Sequence, residues 1–130
     1  MTSIESQIVP VLVRHPEIRL AVLFGSLALG GGGLESDLDL AIDAGAELGV
    51  EDKIALMGEF ADATGRPVDL VDLRTVGEPL LGQIVVHGRR LVGSDEAYAE
   101  LIRRHLLDEA DFMPYYRRIL AERRGEWIAK

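Results

Sequence analysis

A chain of 130 residues, 48% of them apolar, fits one packed domain and leaves no room for a second. Cysteine is absent, which excludes disulfides, thiolate metal sites and a cysteine nucleophile. The 14 basic and 22 acidic residues give a net charge of −8, which excludes a protein that coats nucleic acid through a basic face; an acidic chain that holds a polyanion needs metal ions to bridge the charge.

Ser3 to about Arg14 reads as a first helix with Ser3 as N-cap and Pro10 as a residue that shortens or kinks it. His15-Pro16-Glu17 is a turn. The apolar run Arg19–Phe24, which ends at a glycine, reads as a buried strand. Gly30-Gly31-Gly32-Gly33 is costly to order and reads as a loop. Asp37–Ile42 alternates polar and apolar residues, the pattern of a half-buried strand. Glu51–Thr64 is expected to be a helix with Ile54, Ala55, Phe60 and Ala61 inward, closed by Gly65. Val68–Val71 is a third strand. Thr75-Val76-Gly77-Glu78 has the spacing of a capping box, followed by a helix with Leu80, Leu81, Ile84 and Val85 on one face and Gly88 as its stop. Arg89–Val92 makes a short fourth strand. Ser94 caps a last helical region that Pro114 splits in two, with Tyr115, Tyr116 and Trp127 either packed on the sheet or forming a docking face for a partner. The order is that of an α/β domain with a small sheet and helices packed on it. Residues 1–93 are read as its core and 94–130 as a helical extension. No run reaches the ~18 apolar residues of a membrane span, and Met1–Pro10 lacks the basic start of a secretory signal. The chain is therefore expected to be soluble and cytoplasmic, with no membrane and no direct nucleic-acid partner.

The chemistry lies between Gly25 and Asp43. Gly25-Ser26 turns the chain at the end of the first strand, and a helical turn from Leu27 would aim backbone N–H groups beyond that end. Gly25 allows close approach of an anion, and Ser26 adds a hydroxyl donor. Ten residues later comes Asp37-Leu38-Asp39. On a strand, positions i and i+2 face one way, so Asp37 and Asp39 point together. Two adjacent carboxylates raise a pKa or hold a cation between them. Oxygen ligands without His or Cys favour magnesium or manganese over zinc. Asp69, flanked by apolar residues in the third strand, is a candidate third acid, whereas Asp72 at the strand end is read as a cap for the next helix. Three acids beside a phosphate-binding turn are the parts of a two-metal phosphoryl- or nucleotidyl-transfer site. A Walker loop is excluded, because Gly31 and Gly32 stand where Lys and Ser/Thr are needed. His15, His87 and His105 are read as structural or surface residues.

Gly25-Ser26, ten residues, then Asp37-x-Asp39 resembles the signature of the DNA polymerase beta-like nucleotidyltransferase superfamily. Together with Arg66–Arg74 and Gln83–Leu91, it makes the chain similar to the minimal nucleotidyltransferase (MNT) antitoxins that pair with HEPN-domain toxins. The resemblance runs from about Ile4 to Val92 and implies a small mixed sheet. It implies that Gly25 and Ser26 hold ATP, that Asp37, Asp39 and Asp69 bind two Mg2+ ions (or Mn2+), and that Asp69 activates the attacking hydroxyl. The implied reaction moves AMP from ATP to a tyrosine hydroxyl of a HEPN ribonuclease toxin, held in a hetero-oligomer, and silences it. None of the histidines follows an arginine at the spacing of the HEPN nuclease signature, so the chain is expected to be the antitoxin. The loop Leu27–Leu34 carries no Lys or Arg, so triphosphate charge is expected to be met by metal, backbone and more distant basics such as Lys53, Arg66 or Arg74. Two other readings share these residues: an antitoxin that only covers its toxin, and a nucleotidyltransferase acting on a small molecule.

Overall fold

The computed structural model describes residues 3–30, 33, 36–110 and 118. The elements follow in the order α1 (Ser3–Val13), β1 (Leu20–Phe24), α2 (Gly25–Ala28), β2 (Leu38–Asp43), α3 (Val50–Thr64), β3 (Val68–Asp72), α4 (Leu80–His87) and β4 (Arg89–Gly93), then a helix α5 over 95–110. The sheet order is β3-β2-β1-β4. β1 pairs antiparallel with β2 and β4, and β2 pairs parallel with β3 through the α3 crossover, so the sheet is mixed. Among the described residues, no helix is long and apolar enough to cross a membrane.

Strand parity divides the core into two layers. β1 is buried at every position. Its Ala21 and Leu23 join Leu38, Leu40, Ile42 and Leu70 under α1 and α3. Its Leu20, Val22 and Phe24 join Ala41 under Leu81 and Ile84 of α4 and Leu101 of α5. A strand with apolar side chains on both faces is what helices on both sides of a sheet require. Ser94 caps α5 as expected, its Oγ accepting the Ala97 N–H at 3.1 Å.

Several local expectations are corrected. β2 starts at Leu38, one residue later than expected, and leaves Asp37 just outside it. α1 runs through Pro10 to Val13 without a break; Pro10 is on the exposed side, where water can serve a carbonyl that lost its partner. In α3 the inward residues are Leu56 and Phe60, with Met57 and Ala63 packed beside them, whereas Ile54 is 64% exposed, Ala55 is exposed and Ala61 is half-buried. Positions 56, 60 and 63 lie on one helical stripe, and 54 and 55 fall outside it. Gly65 closes α3 in the left-handed conformation, as expected. The Thr75–Glu78 capping box does not form: the Thr75 hydroxyl bonds the Asp72 carbonyl, α4 begins at Leu80, and the Glu78 carboxylate accepts the Gly82 N–H at 3.0 Å. The expected break at Pro114 and the aromatic face of Tyr115, Tyr116 and Trp127 lie outside the described residues.

Candidate functional site

β1 delivers the chain to Phe24, and Gly25 turns it at once into α2 with φ +70°, a conformation that L side chains rarely adopt. Phe24 pairs with Asp39 across the β1–β2 ladder, which brings the turn against that carboxylate. A Cβ at Gly25 would collide with the Asp39 carboxylate. Position 25 must therefore be glycine twice over, for its backbone angle and for the space that Asp39 fills. Ser26 is exposed at the start of α2, while Leu27 is buried and anchors the turn to the core. The first N–H groups of such a turn have no partner within the helix, as anion recognition requires.

Register then sets the carboxylates. Asp39 pairs with Asp69 in the parallel β2–β3 ladder. Both point to the face opposite Leu38, Leu40 and Leu70, the side covered by α4 and α5. Asp37 has the same parity but lies one residue before β2 and is exposed. Burial first, then the charges of Asp69 and Asp37, raise the pKa of Asp39 above the ordinary aspartate range. The three acids expected from the sequence thus meet at one end of the sheet, next to Gly25-Ser26.

The donor set suits a hard divalent cation. Carboxylate oxygens are the candidate ligands among the described residues, and one carboxylate is held against two like charges that a cation would neutralise. Among the described residues, no group of three or more acidic or histidine side chains forms a ready-made metal cage. Magnesium is commonly held by one or two carboxylates and takes its remaining ligands from water and substrate phosphates. A cleft of about 600 Å3 between α4 and α5, lined by Glu78, Gln83, His105 and Glu109 among others, contains none of these acids. The three acids lie instead at one end of the sheet, beside Gly25-Ser26.

The distant basic residues distribute differently from expectation. Arg74 lies 3.8 Å from Asp43 at the opposite end of the sheet, and Lys53 sits early in α3, which starts from that same end. Only Arg66, three residues before Asp69, stands on the side of the acids, and its Nη1 donates to the carbonyls of Gly33 (2.7 Å) and Ser36 (2.9 Å). Asp72 has the other parity and does not cap α4; its carboxylate accepts the N–H groups of Leu48 and Arg74, both at 2.9 Å, and ties the β2–α3 loop to the end of β3. His15 bridges Glu17 and Glu59, and His105 bonds Glu78, so both are structural as expected.

Residues 6–97 match the family Polymerase beta, Nucleotidyltransferase. The protein adenylyltransferase MntA of Shewanella oneidensis is 35% identical over 99 residues, which span 73% of this chain and 71% of that protein. A crystal structure of a toxin-antitoxin with AMP-PNP superposes with a TM-score of 0.72 over 96% of each chain at 28% identity. The structure of a tri-AMPylated Shewanella oneidensis HEPN toxin in complex with MNT antitoxin superposes at 0.68, over 90% of this chain and 96% of that one, at 29% identity.

Proposed function

The chain belongs to the polymerase beta nucleotidyltransferase family, and from that premise we propose that it is an antitoxin that transfers AMP from ATP to a tyrosine hydroxyl of a partner HEPN toxin ribonuclease. The observation that carries this reading is the meeting of Asp37, Asp39 and Asp69 beside the Gly25-Ser26 turn at one end of the sheet. The S. oneidensis relative is a protein adenylyltransferase, and a similar structure pairs an MNT antitoxin with a tri-AMPylated HEPN toxin. An open site at strand ends also suits an acceptor that is itself a folded protein.

In this mechanism the N–H groups of the Gly25-Ser26 turn and the Ser26 hydroxyl hold the triphosphate. Asp37, Asp39 and Asp69 would hold the two Mg2+ ions, which would supply positive charge to offset that of the phosphates. Asp69 takes the proton of the incoming tyrosine. The tyrosine oxygen forms a bond to the α-phosphorus, the bond from that phosphorus to the bridging oxygen breaks, and pyrophosphate leaves. The described part of the loop after α2 offers no cation to the phosphates, so their charge falls to the metal and the backbone donors.

Intact-mass measurement of the toxin, incubated with this chain, magnesium and ATP, tests the reading. The toxin is expected to gain one or more AMP masses with the parent chain and none with Asp37→Ala or Asp39→Ala. A tight complex with no mass gain would replace catalysis with simple covering of the toxin. Modification at the parent rate by Asp39→Asn would overturn the site assignment.

A further inference from the structure

Asp37 has the least support of the three acids. It is exposed and precedes β2, and the first backbone bond of the β2–β3 pairing, Leu38 N–H to the Pro67 carbonyl at 2.8 Å, forms only after it. Just upstream, the Ser36 N–H bonds the Gly33 carbonyl at 3.2 Å. The Arg66 Nη1 group donates to the carbonyls of these same two residues, Gly33 at 2.7 Å and Ser36 at 2.9 Å. Since Leu38 pairs with Val68, the register places Ser36 opposite Arg66, so the guanidinium bonds the chain where the ladder has not yet begun. Bonds from a charged donor are stronger than neutral ones, and a planar guanidinium holds its acceptors in a defined geometry.

We propose that Arg66 is a positioning residue that clamps the Gly33 and Ser36 carbonyls and thereby holds the Asp37 carboxylate beside Asp39 to receive the cation. The inference rests on the reading of Asp37 as a cation ligand. It differs from a role for Arg66 as a phosphate-binding cation, because both recorded bonds of Nη1 go to backbone carbonyls.

The sign of the effect separates a clamp from a bare charge. Removing a positive charge near carboxylates should, by Coulomb's law alone, tighten cation binding. Loss of the clamp should weaken it. Mn2+ binding to the full chain without nucleotide is measured by electron paramagnetic resonance for the parent, Arg66→Ala and Asp37→Ala, well below each melting temperature. Amide hydrogen exchange at Ser36–Leu38 is followed in metal-free protein. Arg66→Ala is expected to weaken Mn2+ binding about tenfold or more, the scale of lost support behind a metal ligand, and to speed exchange at Ser36. Asp37→Ala is expected to weaken binding at least as much. Arg66→Gln, which shortens the side chain and removes its charge, gives the same readouts should the alanine chain fail to fold. Mn2+ binding unchanged or tighter in the Arg66 variants, with Asp37→Ala weakened, overturns the clamp and leaves the Asp37 assignment standing. Unchanged binding in Asp37→Ala overturns that assignment and the clamp with it. A rise in the KM for ATP alone, with unchanged Mn2+ binding and exchange, overturns the clamp in favour of a phosphate contact.

Discussion

The Asp39 carboxylate is half-buried and faces two other carboxylates, and both burial and charge push its pKa above the ordinary value of 3.8. Between that value and the raised one, the folded chain binds more protons than the unfolded chain, so stability falls as pH rises through this window and stays lower above it. Asp39→Asn removes the charge. In thermal melts without divalent cations it should melt higher than the parent at pH 7, and the gap should close as pH falls towards about 4. The same variant should lose AMP transfer, the trade of stability against activity expected of a site that crowds like charges. Gly25 meets the same carboxylate from the turn that follows β1. Gly25→Ala places a Cβ against Asp39 and forces alanine into φ +70°, a conformation that costs about 1–2 kcal/mol. Transfer measured by intact mass should fall by about 100-fold or more, because displacing a catalytic group by an ångström has that effect. The motif spacing already pointed to Gly25, but the reason a larger residue fails there required the Phe24–Asp39 pairing.

At the scale of elements, α5 is joined to the rest of the fold by apolar packing and by several polar bonds, those of Arg104 among them. Leu101 reaches the layer under α4, and Arg104 donates to the carbonyls of Leu73 at 2.6 Å and Val76 at 3.1 Å. Both acceptors lie in the segment that leads from β3 into α4. Arg104→Ala leaves them without this donor and should cost about 1–3 kcal/mol, a fall of several degrees in melting temperature; circular dichroism checks it. Element types were readable because β1 is uniformly apolar, β2 alternates, and Gly65 and Ser94 mark helix ends with the chemistry those positions require. Errors arose where several partners were open to one side chain. Thr75 and Glu78 have capping-box spacing, yet Thr75 turns back to the Asp72 carbonyl, and Glu78 serves Gly82 and His105. Ile54 is as apolar as the core, but the helical stripe that faces the sheet runs through Leu56 and Phe60.

Across the whole molecule, a net charge of −8 and three carboxylates at one sheet end favour cation binding by the folded form. A cation that binds only the folded chain stabilises it by about 2.7 kcal/mol at one hundred times its dissociation constant. Added MgCl2 should raise the melting temperature of the parent chain, and NaCl at matched ionic strength should not, since screening alone lacks a site. Asp39→Asn should lose the magnesium effect; an equal rise in both chains would place the cation elsewhere. By itself the sequence determined what depends on neighbours along the chain: the α/β order, the side-chain parity that sets Asp37 and Asp39 on one face, the need for glycine and serine at the turn, and an oxygen-only donor set. Only the tertiary structure decided what depends on residues far apart in the chain. The parallel register set Asp69 beside Asp39 and sent Asp72, three residues on, to the loop at Leu48. It left Arg74 and Lys53 at the far end of the sheet and brought Arg66 to the Ser36 carbonyl just before Asp37. The physical reason is that alternation along a strand is local, whereas the choice of neighbour and register is made by the burial of both sheet faces at once.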